Sequence, residues 1–260
     1  MNSLLELKNI WAGYGNEPVL KDISIRVSRG TFLGIIGPNG AGKSTLLRVA
    51  SRALPPSGGN VFFDGADLYS LNPKSAARHI AFVPQSITVN FSLTVWELVL
   101  MGRIPYLGRL ESYKQKDFRI AEEALKLTDM LHLKDRDTNE LSAGEKQRAI
   151  IAKALAQNPS LLFLDEPTSH LDIGHQVDIL GLIKKMNQET GLTVISVFHD
   201  LNLASEYCDL LLLLHDSSVF RHGTPEDVLT YSNIEAVYKT VVVVKHNPIT
   251  LKPFVFVMPK

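Results

Sequence analysis

The sequence contains little cysteine, no surplus of either charge and no long apolar run. Among its 260 residues there is one cysteine, Cys208, which excludes an internal disulfide and a zinc site built on several thiolates. Lysine plus arginine and aspartate plus glutamate number 27 each, so the basic surplus that usually accompanies nucleic-acid binding is missing. The longest leucine run, Leu210–Leu214, is far shorter than the about 20 residues that span a bilayer, and Glu6 and Lys8 interrupt the N-terminal apolar stretch. We therefore expect a globular chain in a reducing compartment that is neither exported nor membrane-spanning by itself, and no nucleic-acid partner.

The composition and the apolar pattern indicate a mixed α/β fold. Hydrophobic residues make up 45% and charged residues 21% of the chain, which is ordinary for a globular protein. Alternating apolar residues in LLELKNI and VLKDISIRV predict half-buried antiparallel strands, and the continuous runs TFLGIIG, LLFLD and TVISVFH predict buried strands. Helical patterns separate the later strands, at about 44–54, 142–157, 173–190 and 200–207. This alternation of strands and helices favours a largely parallel sheet.

Two segments depart from the alternation. Between about 88 and 157 the strand signals disappear and apolar residues recur at helical spacing, which predicts a helical insert. After residue 231 the pieces VVVVK and FVFVM predict a small terminal addition that contains strands. The predicted division is a core of residues 1–87 and 158–231, a helical subdomain of residues 88–157, and a C-terminal α/β addition of residues 232–260.

A glycine-rich loop stands between a predicted buried strand and a predicted helix. Residues 37–45 read GPNGAGKST and fit the phosphate-binding pattern G-x-x-x-x-G-K-[ST] in the strand–loop–helix context that the pattern requires. Glycines let backbone N–H groups approach phosphate oxygens, and the following helix adds its positive N-terminus. We expect Lys43 to reach the β- and γ-phosphates and Ser44 to bind Mg²⁺. The alternative is a glycine-rich turn with an exposed lysine, which the flanking segments disfavour.

An acidic pair ends another predicted buried strand. The segment LLFLDEP places Asp165 where a carboxylate can stand beside the metal of a phosphate-binding loop. Glu166 is one residue further on, where it can polarise an attacking water. A strand that simply turns to solvent would be the better interpretation of an isolated DEP, but the phosphate loop favours the catalytic one.

A second helix start is also suited to anions. In LSAGEKQR, Ser142 and Glu145 have the spacing of a capping box. Ala143 and Gly144 are small, so we expect the helix N-terminus to remain sterically open to a phosphate. The chain thus has two helix starts suited to phosphate, one after the glycine-rich loop and one after Ser142. A single bound nucleotide ordinarily needs only one of them.

Together these motifs resemble those of the nucleotide-binding subunits of ATP-binding cassette (ABC) transporters, over nearly the whole chain. In family order the matches are Walker A at Gly37–Thr45, the Q-loop glutamine Gln85 in FVPQS, the signature at Leu141–Glu145, Walker B ending at Asp165, the D-loop at Ser169–Asp172 and the switch histidine His199. The combination is far more specific than any single motif. The resemblance implies ATPase activity and an α/β fold, with a P-loop NTPase (RecA-like) core, an antiparallel β subdomain and an inserted α-helical subdomain.

The resemblance also implies roles for single residues. The implied catalytic residues are Glu166, His199 and Gln85, and the implied Mg²⁺ ligands are Ser44, Gln85 and Asp165. The implied nucleotide-binding residues are Tyr14, Val19, Gly37, Pro38, Asn39, Gly40, Ala41, Gly42, Lys43, Ser44, Thr45, Ser142, Ala143, Gly144, Glu145 and Asp172. Tyr14 stands where the family has the aromatic residue that stacks on adenine, although Trp11 is close enough to compete for that role. His170 departs from the alanine common at this D-loop position and is assigned no chemistry.

Partners follow from the same resemblance. The family forms a head-to-tail dimer in which the signature helix of one subunit caps the ATP bound in the other, so two ATP molecules are buried between two copies. The implied further partners are transmembrane permease subunits and, indirectly, an extracytoplasmic substrate-binding protein. The implied location is the cytoplasmic face of the membrane, through the permease.

The helical insert and its surroundings suggest a subfamily. The segments LTVWELVLMGRIPYLGRL and FHDLNLASEYCDLLLLL look like those of subunits that serve iron–siderophore, haem or cobalamin uptake, with Gly102, Arg103 and Pro105 in matching places. The alternative for GRIPYLG is an ordinary helix end with a proline stop. The alternative function is a soluble ABC ATPase in DNA repair, translation or cofactor assembly, which the short separation of 57 positions between Gln85 and Ser142 disfavours.

The same region offers a candidate permease-docking surface. Residues 86–108 contain apolar positions such as Phe91 and Tyr106 beside Arg103, a mixture typical of protein interfaces. We expect these residues to be exposed, and we expect the Q-loop to connect the docking surface to the γ-phosphate site.

Overall fold

The structure, a computed structural model, describes residues 3–15, 17–85, 92–169 and 171–258. Its strands are β1 (Ser3–Tyr14), β2 (Glu17–Ser28), β3 (Phe32–Ile36), β4 (Gly58–Phe63), β5 (Ala66–Asp67), β6 (Ile80–Val83), β7 (Leu161–Asp165), β8 (Thr193–Val197), β9 (Leu210–His215), β10 (Ser218–Gly223), β11 (Val242–His246) and β12 (Pro253–Val257). Its α-helices are α1 (Lys43–Ala50), α2 (Pro73–Ala76), α3 (Val95–Leu100), α4 (Gln115–Leu127), α5 (Ala143–Ala156), α6 (Ile173–Thr190), α7 (Leu201–Tyr207), α8 (Pro225–Val228) and α9 (Tyr231–Tyr238). Short 3-10 helices cover Met101–Tyr106, Leu131–Leu133 and Thr138–Glu140. None of the helices within these described ranges is both long and apolar enough to cross a bilayer.

Residues 1–70 and 193–260 form the first of two compact units. Strands β2, β1, β4 and β5 pair in that order as an antiparallel sheet. Strand β3 pairs in parallel with β8 on one side and β9 on the other, and β10 pairs with β9 antiparallel. Every residue of β3 and β8 is buried, as expected for parallel strands covered on both faces. Strands β11 and β12 form a separate antiparallel hairpin.

Residues 71–192 form the second unit. Strands β6 and β7 pair in parallel. Helices α3, α4 and α5 share an apolar core that includes the fully buried Val99, Leu125 and Ala152. The Trp96 ring on α3 stacks on Phe118 of α4, with 6.2 Å between the ring centroids. Apolar residues at helical spacing therefore place one face of each of these three helices in a common core.

The structure confirms the predicted element types. The four helical patterns correspond to α1, α5, α6 and α7, the helical insert contains α3 to α5, and the two terminal apolar pieces are β11 and β12. The predicted subdomain boundaries at 87/88, 157/158 and 231/232 stay a prediction. Phe91 and His170 lie outside the described residues.

The expectation that Arg103 is exposed on a docking surface is wrong. Its side chain is only 3% exposed, and Nε donates to Asp117 Oδ1 at 3.0 Å. Nη1 donates to the Ala156 carbonyl at 2.7 Å, and the guanidinium carbon lies 3.8 Å from the centre of the Tyr106 ring. Tyr106 is itself half-buried, with its hydroxyl donating to the Gln157 carbonyl. Through these two hydrogen bonds Arg103 joins the 3-10 helix Met101–Tyr106 to α4 and to α5, and its charge is paired inside the second unit.

Candidate functional site

The glycine-rich loop of the first unit adopts a backbone that few residues other than glycine allow. Gly37, Gly40 and Gly42 have φ angles of 147°, 81° and 96°. A Cβ atom at Gly37 would lie 2.4 Å from the Leu214 carbonyl oxygen, and one at Gly42 would lie 2.7 Å from Leu20 Cδ2. The loop therefore requires glycine both for its dihedral angles and for the close approach of neighbouring atoms.

Lys43 begins helix α1 and points back into the loop. Its residue is 6% exposed, and Nζ donates to the carbonyl oxygens of Gly37 at 2.8 Å and Pro38 at 3.0 Å. A buried ammonium needs acceptors, and phosphate oxygens form stronger, charge-assisted bonds than carbonyls do. The N-cap residue, Gly42, has no side chain to cap the helix, which leaves room for an anion at its N-terminus. The loop and Lys43 are therefore arranged to receive phosphate.

Tyr14 and Val19 reach the same region from β1 and β2. Tyr14 is 53% exposed, and its hydroxyl accepts a hydrogen bond from Arg48 Nη1 on α1 at 2.8 Å. The Val19 carbonyl oxygen would lie 3.1 Å from a Cβ atom at Gly42, so this residue adjoins the loop. Trp11 packs against Gly58 instead. Of the two aromatic residues, the structure ties Tyr14 to the helix that follows the loop.

The switch histidine occupies the end of another buried strand in the first unit. His199 is exposed and comes two residues after β8. Asp200 is the N-cap of α7, and its Oδ1 accepts from the backbone N–H groups of Asn202 at 2.7 Å and Leu203 at 3.0 Å. The cap fixes the backbone directly after His199.

The second unit brings together Gln85, Glu166 and Ser169. Strand β7 ends at Asp165, which is 4% exposed, and Glu166 follows with a left-handed φ of 52°, uncommon for this residue type. Gln85 Nε2 donates to Glu166 Oε2 at 2.5 Å, and Ser169 Oγ donates to the Glu166 carbonyl at 3.0 Å. Such backbone conformations concentrate at functional sites, where surrounding contacts maintain them.

The signature segment of the second unit starts α5 as predicted. Ser142 Oγ accepts from the Glu145 N–H at 3.3 Å, and Glu145 Oε2 accepts from the Ser142 N–H at 2.8 Å. This capping box confirms the predicted helix start, and its hydrogen bonds lower the pKa of Glu145. A Cβ atom at Gly144 would lie 2.5 Å from His175 Cδ2, so the close approach of this ring requires glycine, and the openness of the helix N-terminus to a phosphate stays a prediction. Ser142 and Ala143 are exposed.

Asp172 of the D-loop orients the histidine that contacts the signature. It is the N-cap of α6, where Oδ1 accepts from the His175 N–H at 2.9 Å and Oδ2 lies 2.7 Å from His175 Nδ1. The backbone bond, and then the side-chain bond, hold the pKa of Asp172 below its usual range. The sequence analysis did not identify His175. The available signal was its position three residues after a helix-capping aspartate.

The proposed Mg²⁺ ligands have suitable chemistry for that ion. Ser44, Gln85 and Asp165 offer a hydroxyl, an amide and a carboxylate oxygen, and oxygen is the donor that Mg²⁺ prefers. No cluster of three or more His, Cys, Asp or Glu side chains suited to a metal occurs in the part of the chain that the structure describes.

Comparison with known sequences places these motifs in one family. The family described as ABC transporter matches residues 20–169. The ABC transporter ATP-binding protein YvrA of Bacillus subtilis is 39% identical over 98% of this chain, which spans 58% of that protein. The ferric enterobactin transport ATP-binding protein FepC of Escherichia coli is 38% identical over 94% of this chain and 90% of its own length.

Solved structures agree with the sequence matches. A metal-chelate type ABC transporter in an inward-facing conformation superposes with a TM-score of 0.86 at 28% identity, over 100% of this chain and 98% of that one. A dimeric, post-hydrolysis structure of the cassette MJ0796 with ADP and phosphate gives a TM-score of 0.74 at 32% identity, over 85% and 98% of the two chains. The predicted P-loop NTPase fold is confirmed. On the family match and on relatives that align along nearly its full length, the chain belongs to the ABC transporter family.

Proposed function

We propose that this chain is the ATP-hydrolysing subunit of an importer for an iron chelate such as a siderophore, or for haem or cobalamin. The observation that carries the proposal is a complete phosphate loop with a buried Lys43, together with Glu166 held by Gln85 at the end of β7. FepC, whose name states ferric enterobactin transport, supports the substrate class.

ATP binding is assigned to the loop and to Tyr14. Lys43 exchanges its two carbonyl acceptors for phosphate oxygens, and the glycine backbone and the α1 N-terminus contribute N–H donors. The half-exposed Tyr14 ring supplies a flat apolar face for adenine. Ser44, Gln85 and Asp165 would hold Mg²⁺, and the bound ion would supply positive charge to the transferred phosphate.

Glu166 is assigned the role of general base. Its carboxylate accepts the Gln85 amide on Oε2, and a carboxylate has further lone pairs to accept a proton from water. The Ser169 hydroxyl donates to the backbone carbonyl of Glu166, so the Glu166 side chain extends from a fixed backbone position. His199 is assigned to the γ-phosphate on the resemblance alone.

The signature is assigned to the ATP of a second copy. Ser142 and Ala143 are exposed at the start of α5, where an incoming γ-phosphate can reach the helix N-terminus. The dimeric MJ0796 cassette supports a dimer of this chain.

Permease docking is assigned to exposed apolar side chains after α3. Ile104 is 50% exposed and Leu110 is 98% exposed, whereas Arg103 between the same elements is buried. Apolar side chains on such a surface suit contact with a short helix of a membrane partner. The peripheral location on the cytoplasmic face of the membrane depends on this docking.

The ATPase assignment is tested by Glu166→Gln and Lys43→Ala. Glu166→Gln keeps ATP binding and lowers steady-state hydrolysis by about 10²-fold or more, since an amide is a poor proton acceptor. Lys43→Ala weakens ATP binding in a titration. Glu189→Gln, an exposed change on α6, is the matched control. Hydrolysis by Glu166→Gln within a few-fold of wild type would remove Glu166 from this role.

The importer assignment is tested by copurification from detergent-solubilised membranes. Wild type is expected to retain a multi-span permease, and Ile104→Asp with Leu110→Asp is expected to lose it while ATPase activity in solution persists. Ile249→Asp, at a residue 89% exposed in the first unit, is the control. Failure of the wild type to retain any permease would favour the soluble ABC ATPase in DNA repair, translation or cofactor assembly.

A further inference from the structure

The switch histidine lies in a short connection between a strand and a helix. Residues 198–200 connect β8 to α7. Phe198 is 3% exposed, and its N–H donates to the Ile35 carbonyl at 3.0 Å, which anchors the strand end of the connection in the sheet. The position of His199 therefore depends on where α7 begins.

Helix α7 is too short to hold its position by itself. It has seven residues, and isolated helices shorter than about 12–15 residues are marginal in water, so its stability comes from packing against neighbouring elements. Two of its residues, Ala204 and Ser205, are buried. The start of α7 is therefore placed by the elements that α7 contacts.

The C-terminal hairpin of β11 and β12 provides such contacts. Asn202 on α7 bonds both backbone groups of Val255 on β12: its Oδ1 accepts from the Val255 N–H at 2.7 Å, and its Nδ2 donates to the Val255 carbonyl at 3.2 Å. Ser205, 2% exposed, donates to the Pro253 carbonyl at 2.7 Å. Two side chains one helical turn apart therefore join α7 to β12.

The turn before β12 is bonded to the other end of α7. Lys252 Nζ donates to the Glu206 carbonyl at 2.6 Å, and Thr250 Oγ1 donates to Glu206 Oε2 at 2.9 Å. The hairpin and its turn are therefore bonded to α7 near both of its ends.

The hairpin also lies close to the switch histidine itself. A cavity of about 310 Å³ within the first unit is lined by His199 and Asp200 from the connection and by Val242, Val255 and Val257 from the hairpin. The connection and the hairpin therefore border the same space.

We propose that Asn202 is a positioning residue for the switch histidine. Its backbone N–H donates to Asp200 Oδ1 at 2.7 Å, next to His199, while its side chain bonds β12. Asn202 thus anchors the start of α7 to the hairpin and fixes the connection that carries His199. The inference rests on the γ-phosphate role proposed for His199, and it goes beyond that role because Asn202 belongs to none of the ATP-site motifs.

The expected effect of Asn202→Ala is on turnover rather than on ATP binding. The change keeps the backbone N–H that bonds Asp200, and alanine favours a helix, so only the anchor to the hairpin is removed. A displacement of about 1 Å in a group that acts on the reacting phosphate can cost up to about 10²-fold, and we expect kcat to fall by about 10-fold. KM and the ATP dissociation constant should stay within about two-fold of wild type, because the phosphate loop and Tyr14 are unchanged.

The matched control is Asn233→Ala on α9. The Asn233 side chain also donates to backbone carbonyls, of Val228 at 3.0 Å and Asp227 at 3.3 Å, but these belong to α8 rather than to the hairpin. ATP dissociation constants, KM and kcat are measured in the full chain at a temperature where all variants are folded by circular dichroism. A lower kcat in Asn202→Ala alone supports the proposal. An unchanged kcat in Asn202→Ala, or an equal loss in Asn233→Ala, overturns it.

A double-mutant cycle with His199→Ala separates positioning from a merely structural role. If Asn202 acts through His199, Asn202→Ala should lower single-turnover hydrolysis by less than about two-fold once His199 is replaced. The same fold loss in both backgrounds would mean that the two residues act independently, and it overturns the proposal.

Nuclear magnetic resonance provides a test that does not depend on hydrolysis. The imidazole signal of His199, one of eight histidines, is assigned as the signal absent from His199→Ala. It should shift or broaden in Asn202→Ala and stay at its wild-type position in Asn233→Ala. An unchanged His199 signal in Asn202→Ala overturns the proposal.

Ser205→Ala takes the place of Asn202→Ala in each measurement if the latter does not fold, since it removes the other bond to β12. An unchanged kcat or an unchanged His199 signal in Ser205→Ala then overturns the proposal. Failure of the wild type to hydrolyse ATP, or full hydrolysis by His199→Ala, would instead reject the role proposed for His199. The His199 signal would still decide whether Asn202 positions this residue.

Discussion

Replacing Arg103 by methionine is expected to destabilise the helical part of the second unit strongly. The change keeps an unbranched side chain of similar length over the Tyr106 ring but removes the charge that faces Asp117. Asp117 is 1% exposed, so its carboxylate would remain buried without its cation. The Ala156 carbonyl would lose its bond from Arg103 as well.

The magnitude follows from the burial of both partners. Removing one member of a buried ion pair destabilises by about 3–5 kcal/mol, because the remaining charge is left without compensation. Burial opposes ionisation of Asp117, but the hydrogen bond from the Lys114 N–H and the interaction with Arg103 outweigh it and hold the pKa of Asp117 below its usual range. A depressed carboxylate pKa stabilises the fold above the unfolded pKa and loses that contribution as pH falls through the folded pKa. The difference between wild type and Arg103→Met should therefore shrink below about pH 4.

The assay is urea unfolding followed by tryptophan fluorescence in a Trp11→Phe background. The chain has two tryptophans, so Trp96 then reports alone, and it stacks on Phe118 of α4 within the affected region. Arg109→Met, an exposed change close by, is the matched control, and its free energy of unfolding should change by less than about 0.5 kcal/mol. Asp117→Leu combined with Arg103→Met should recover much of the loss.

A loss of about 1 kcal/mol or less in Arg103→Met, the size typical of surface pairs, would refute the argument from burial. A loss that does not diminish in acid would refute the part that assigns it to the Asp117 carboxylate.

Two further predictions concern the nucleotide site. Gly144→Ala should displace the signature, because a methyl group there meets the His175 ring, and should lower ATPase activity by about 10-fold or more while ATP binding to the single subunit stays unchanged. Adding His175→Ala should restore activity if the clash is the cause, and no recovery would contradict it. Tyr14→Ala should weaken ATP binding by about 0.5–1.5 kcal/mol in a titration, whereas Tyr14→Phe should bind nearly as wild type does. Equal binding by Tyr14→Ala and wild type would exclude the stacking role.

Sequence alone predicted the features that neighbouring residues determine. The loop glycines, the capping box of Ser142 with Glu145, and the buried strand before Asp165 each depend on residues within a short segment. Their order along the chain then identified the family, because the combination is rarer than its parts.

Features that depend on residues distant in sequence could not be predicted. Nothing in GRIPYLG indicates that Arg103 pairs with Asp117, since the burial of both is decided by the packing of three helices. The contact of His175 with Gly144 joins two separate helix starts, and the hydrogen bonds between Asn202 and the Val255 backbone join α7 to β12. Hydrophobic periodicity carries no information about such pairs.

The central claim is that the signature of one copy completes the ATP site of another. Size exclusion with light scattering on Glu166→Gln tests it most directly, since this variant should bind MgATP without consuming it. MgATP should convert the 28.8 kDa chain to a species of twice that mass, and adding Ser142→Arg should abolish the conversion by placing bulk at the start of α5. A dimer that forms equally well without nucleotide, or that persists with Ser142→Arg, would contradict the account.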